Sequence, residues 1–261
     1  MSRVYKKQLN RSLIGLSGAL MIILSPALVL AISPARTTKA NTSQNTNFCN
    51  NLSTSTSKIS SNLTNLTTKA SAAWTKQTSN ATTNWQQVDQ KVASYRATAD
   101  QTRQTNFTKL ENTAKTTSEK SAVSTYESTI STAVNTLRSA FDNARTAYRT
   151  SVLGAISNRQ STVLGQVSAF QSTVNGIFST YQTDCQTGST TNLHTSFVDA
   201  MKTARTTFMN ERSSDTTIGS QIQQFIVTRD NSFSAAQQAF KTTATNAAQV
   251  LQKAFNNNSS I

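Results

Sequence analysis

The sequence predicts an all-α fold: an elongated antiparallel bundle of about three long helices, closed at one end by a disulfide. Three observations carry this reading. Residues 152–184 are three copies of one 11-residue unit, VLGAISNRQST, VLGQVSAFQST and VNGIFSTYQTD. Proline is absent after Pro34, and the two cysteines, Cys49 and Cys185, stand at equal distances from Thr117. Eleven residues in three turns is about 3.67 per turn, close to the ~3.6 of an α-helix, so the apolar stripe stays on one face of a nearly straight helix.

The elements follow in chain order. Arg3, Lys6, Lys7 and Arg11 precede an apolar run from Leu13 to Ile32, and small-residue sites follow at Ser33-Pro34-Ala35 and Thr38-Lys39-Ala40. Residues 1–40 therefore read as an export signal peptide. The alternative is an uncleaved N-terminal anchor, since the run approaches the ~20 residues that span a bilayer; Pro26, Gly15 and Gly18 favour cleavage. Six of the 25 basic residues and none of the 11 acidic ones lie in this segment, so the remainder carries 19 against 11, a balance of +8.

Residues 41–186 predict a disulfide-closed helical hairpin. Leu52, Leu63, Trp74, Trp85 and Phe107 recur at 11-residue intervals, interrupted by Arg96. The second arm carries Ile130, Phe141, Val152, Val163 and Val174 at one position of the frame. Two further positions of that arm are apolar except for Arg145 and Arg159. The turn is expected near residue 117, with Ser118 capping a helix that begins Glu119-Lys120. Folding back there brings Cys49 and Cys185 to one end, where an exported chain meets oxidising conditions, so a Cys49 to Cys185 disulfide is predicted.

Residues 187–261 predict a third helical segment. It starts after the Thr187-Gly188-Ser189 turn, carries apolar residues at helical spacing from Leu193 to Phe255, and is broken near 213–217. The outward faces are Thr, Ser, Asn and Gln, poorer helix formers than Ala, Glu or Lys. Stability must then come from the shared stripe and the disulfide.

The same residues bound the function. One histidine, His194, excludes a His-based metal cluster and a triad with a second histidine in support; it is expected exposed in the first turn of the third segment. The dispersed carboxylates give no acid/base couple along a helix face, so an enzyme is not expected and no cofactor is implied. Trp74 and Trp85 read as core. Gly154, Gly165 and Gly176 lie about 196° from the apolar stripe. With Ser157, Ser168 and Ser179 they form a small-residue strip on which a partner or a second copy could dock. Arg138, Arg145 and Arg149, with Lys202, Arg205 and Arg212 of the third segment, are a candidate basic belt. The Thr-rich 11-residue spacing resembles that of helical antifreeze proteins, but their alanine richness and single threonine row are missing, so no residue is carried over.

The expectation is an exported, non-enzymatic helical rod, secreted or at the cell surface or envelope. It would serve as a structural, adhesive or partner-binding module for another protein, an envelope polymer or its own copies. One alternative is a basic helical protein that grips nucleic acid or envelope polysaccharide. Another is an envelope chaperone or membrane-active protein whose hairpin opens; otherwise membrane contact is expected only through an uncleaved N-terminal segment.

Overall fold

The computed structural model describes residues 42–188, 192–213 and 218–257. Among them stand four α-helices and no strand: α1 (Thr42–Thr113), α2 (Thr117–Thr187), α3 (Leu193–Ser213) and α4 (Ile218–Asn257). The all-α bundle is thus as the periodicity predicts. The third segment is two helices, ending and restarting on either side of the expected break; residues 214–217 themselves, like the expected signal peptide, lie outside the described residues. No described helix is long and apolar enough to cross a membrane.

The hairpin turn falls where the cysteine spacing places it, but its cap differs. Thr116, not Ser118, is the N-cap: its hydroxyl accepts the Glu119 amide at 3.2 Å. The Glu119 carboxylate reaches back to accept the amides of Lys115 and Thr116 at 2.7 and 2.9 Å. This reciprocal Thr-x-x-Glu box satisfies donors that a cap at Ser118 would leave bare, which is why the helix starts earlier than expected. At the other end of α2, Gly188 takes a left-handed φ of 67°, the conformation that ends a helix and that glycine adopts without steric cost.

The described chain divides into two compact units. The first combines α1 up to Asn80 with Ile156–Gly219, which holds the rest of α2 and all of α3. Its core is shared by three helices: Leu52, Ile59 and Leu63 from α1, Phe170, Val174 and Phe178 from α2, and Phe197, Met201 and Ala204 from α3. Cys49 and Cys185 are joined in this unit with their Cα atoms 5.7 Å apart. Phe48 beside the link packs on Phe197 and on His194, ring centroids 5.2 and 5.7 Å apart. His194 is therefore half-buried against an aromatic cluster instead of exposed, because Phe48, one residue before the disulfide, is held against the start of α3.

The second unit combines Ala81–Ala155 with the chain from Ser220 on, so α4 joins α1 and α2 there. Val92, Phe107, Val123, Ile130, Tyr148 and Val152 are buried in it, and Phe141 meets Phe233 of α4 with centroids 4.5 Å apart. Burial of each such side chain stabilises by roughly 1.5–3 kcal/mol before conformational entropy is counted.

The polar faces add a local effect. Hydroxyls of Thr64, Thr75, Thr173 and Thr180, among many others, donate to the carbonyl four residues earlier in their own helix. A threonine bonded this way keeps its backbone helical while its donor is occupied. The Thr-rich surface thus offers solvent fewer free donors than its composition suggests.

Candidate functional site

The densest polar chemistry lies in the second unit, along the seam between α1 and α2. Arg149 grips Asp89 with two bonds of 2.7 and 2.8 Å, Arg96 grips Asp142 at 2.8 and 2.9 Å, and Arg138 grips Asp100 at 2.5 and 2.9 Å. Arg145 bonds Asp142 on its own helix and stands 3.4 Å from Asp89, and Arg103 bonds Asp100 at 2.8 Å. From the first rung to the second each helix advances seven residues, and from the second to the third four, in opposite chain directions. Seven and four make the 11-residue frame, so the ladder is that frame expressed in charge.

Bidentate guanidinium–carboxylate bonds are the strong form of the ion pair, and these are two-thirds shielded on the arginine side or better. Their effect on titration follows. Asp100 is pulled down to about 2 by its bond from Arg138, helped by Arg103 against the opposing effect of burial. Bonds from Arg149 and Arg96 likewise hold Asp89 and Asp142 below the ordinary carboxylate range. A shallow cleft of about 330 Å³ opens over this cluster, lined by both aspartates and by Arg96, Arg145 and Arg149. Carboxylates so depressed are weak bases, and their oxygens already face guanidinium groups. The chemistry of the cleft is charge pairing between helices.

Three more charged contacts lie between helices. Arg229 of α4 is only 3 % exposed: its guanidinium lies 4.8 Å over the Tyr148 ring and 5.8 Å over Phe233, and bonds Asp230. A cation placed over ring faces and away from water is held by the ring quadrupole, which docks α4 on α2. In the first unit, burial lowers the guanidinium pKa of Arg159 and of Arg212, and repulsion from Arg212 adds to it at Arg159. Near the hairpin turn, burial and then the Glu111 carboxylate raise the pKa of Glu127, a rung where like charges face.

The residues singled out by sequence fall as follows. Gly154, Gly165, Gly176, Ser157, Ser168 and Ser179 are all exposed, and a Cβ built on any of the three glycines meets nothing within 4 Å. Trp74 is buried; Trp85 is half-buried under the Arg149 guanidinium, 5.5 Å from its ring centre. The basic belt is two groups: Arg138, Arg145 and Arg149 belong to the second unit and pair with aspartates, while Lys202, Arg205 and Arg212 belong to the first. Sequence reasoning missed the ladder and Arg229, although the signal was present. Arg96, Arg145 and Arg229 each occupy a position that the surrounding stripe reserves for an apolar residue. Among the described residues no group of His, Cys, Asp and Glu could hold a metal ion.

In comparisons with known proteins, no family model, curated protein or solved structure matches this chain.

Proposed function

We propose that this chain is an exported, non-enzymatic helical module that acts by surface contact, at the cell surface or outside the cell, in a structural, adhesive or partner-binding role. The observation that carries the reading is where the chemistry points. In the second unit's hairpin, arginines and aspartates pair in the helix seam, whereas the outward faces of the chain carry Ser, Thr, Asn and Gln and the open Gly154, Gly165 and Gly176 strip. A disulfide that closes the hairpin suits an oxidising compartment, which supports export.

The test is binding of the oxidised protein to washed cell envelopes at low and at about 0.3 M salt, where exposed charge pairs are largely screened. Saturable binding that survives salt and is weakened by Gly165→Gln and Gly176→Gln supports the reading. Absence of saturable binding at either salt concentration refutes it. The alternative of a module for anionic polymers is favoured by one observation, the placement of the lysines.

A further inference from the structure

Positive charge on α1 is sorted by residue type. Its arginines, Arg96 and Arg103, are bonded into the seam. Its lysines are Lys58, Lys69, Lys76, Lys91 and Lys109, all exposed, and among the described residues none of them stands in an ion pair.

The lysines are also sorted by direction. In the first unit Lys69 and Lys76 project within about 20° of Lys58 when each residue turns ~100°. In the second unit Lys109 follows Lys91 by 18 residues, five whole turns, and points the same way. On that stretch of helix Asp89, Asp100 and Glu111, themselves 11 residues apart, lie about 160–200° from the lysines. The part of α1 in the first unit has no acidic residue at all. Each unit thus presents a single-file row of ammonium groups with no α1 carboxylate beside it.

We infer that each lysine row binds an acidic polysaccharide along its own unit's stretch of α1, an inference that rests on the reading of the chain as an exported contact module. The flanking residues set the polymer class. Asn62, Asn65 and Asn80 share the sector of the first row, and Gln87, Thr98 and Thr105 flank the second; all are exposed. Side-chain amides both donate and accept, which matches the hydroxyls and ring oxygens between the acidic groups of a sugar chain. A nucleic acid is matched less well, because neither row contains an arginine fork and the one ring in their sectors, the exposed Tyr95 about 40° from Lys91, has no second ring to continue a stack. A bilayer is matched less well too, since the first sector holds no large apolar residue and the second holds only Tyr95.

The test compares three proteins with intact disulfides: wild type, the row variant Lys58→Gln/Lys69→Gln/Lys76→Gln, and the charge-matched control Lys202→Gln/Lys241→Gln/Lys253→Gln. Circular dichroism and melting establish that all three fold alike. Each is titrated with polygalacturonate, neutral dextran, single-stranded DNA and phosphatidylglycerol vesicles at about 0.05–0.2 M salt. The expectation is that wild type prefers polygalacturonate and that the row variant binds it at least tenfold more weakly. Its salt slope should fall by up to about 2, on the scale of about 0.7 per phosphate neutralised. The control should change less than about twofold. Equal weakening in variant and control, stronger binding to DNA or vesicles than to polygalacturonate, or no polymer bound by wild type overturns the inference. Envelope binding that survives in the row variant would remove the lysine rows and leave the contact-module reading standing, whereas its absence in wild type would remove both.

Discussion

Reduction of the Cys49–Cys185 link tests how the fold divides its stability. The link joins residues 136 apart, for which the chain-entropy relation gives about 5 kcal/mol if the whole chain unfolds. Yet both cysteines lie in the first unit, and the loop between them contains all of the second unit's hairpin. With the second unit folded, only about 60 residues of slack remain, and the same relation gives about 4 kcal/mol, an upper value because denatured chains retain structure. At a urea m-value of about 2 kcal/mol/M this is a shift of about 2 M in the midpoint of the first unit. The two tryptophans make the assay selective, since Trp74 belongs to the first unit and Trp85 to the second. In a Trp85→Phe background the fluorescence transition should move down by 1–2 M when Cys49→Ser/Cys185→Ser is introduced, on the scale of that entropy loss. In a Trp74→Phe background the transition should move by less than about 0.5 M. Equal movement of both reporters would refute the division into units, and an unmoved Trp74 transition would refute the stabilising role of the link.

Four further outcomes follow from the side chains. Gly154→Ala, Gly165→Ala and Gly176→Ala should each raise stability by about 1 kcal/mol, because the added methyl meets nothing and alanine favours helix; urea denaturation reads the gain. Asp100→Asn should cost about 1 kcal/mol at neutral pH by releasing Arg138 and Arg103 from a partly exposed pair. The depressed aspartates fix a pH window: stability they supply is present above the ordinary carboxylate range and lost as pH falls from about 4 toward 2, so Trp85 should report acid loosening there that is flatter in Asp100→Asn. Glu127 has the opposite sign, since its raised pKa makes the ionised form costly. Glu127→Gln should therefore stabilise by about 0.5 kcal/mol at pH 7 and change little at pH 3, as denaturation at both pH values would show.

Helix type, hairpin turn and disulfide were legible because they rest on local periodicity and on two cysteines with one pairing. The break before Ile218 was legible for the same reason, as a run of Ser, Asp and Thr between two apolar stripes. The cap was missed by two residues because Thr116, Thr117 and Ser118 all have capping side chains, and only the reach of Glu119 decides among them. The division into units was not legible, since the apolar stripes of α1 and α2 run on through residues 80 and 156 without a change of period. What divides them is which third helix lies alongside, α3 or α4, and that depends on tertiary packing. The ladder was hidden because each arginine looked like a defect in a stripe. Periodicity identifies a position as facing the seam, but only the register of two helices shows that an aspartate faces it.

That register is where the ladder matters most. An 11-residue apolar stripe matches itself after a slide of one repeat, so packing alone leaves the pairing of α1 and α2 nearly degenerate. Sliding by 11 residues in one direction would keep Asp100 against an arginine, Arg149, and set Glu111 on Arg138, but it would lay Arg96 on Leu153 and Asp142 on Phe107. Sliding the other way would keep Asp89 on Arg138 but set Asp100 on Glu127 and Asp142 on Trp85. Either slide strands at least one charge in an apolar layer, at a cost of about 1–3 kcal/mol or more for each lost partner. The exchange of sign between the second rung and its neighbours, with arginine on α1 and aspartate on α2, is what makes both slides costly. Residues that interrupt the repeat therefore select the same register that the short turn and the disulfide impose, and a thin core with a polar surface can reinforce one pairing through charges it would otherwise do better without.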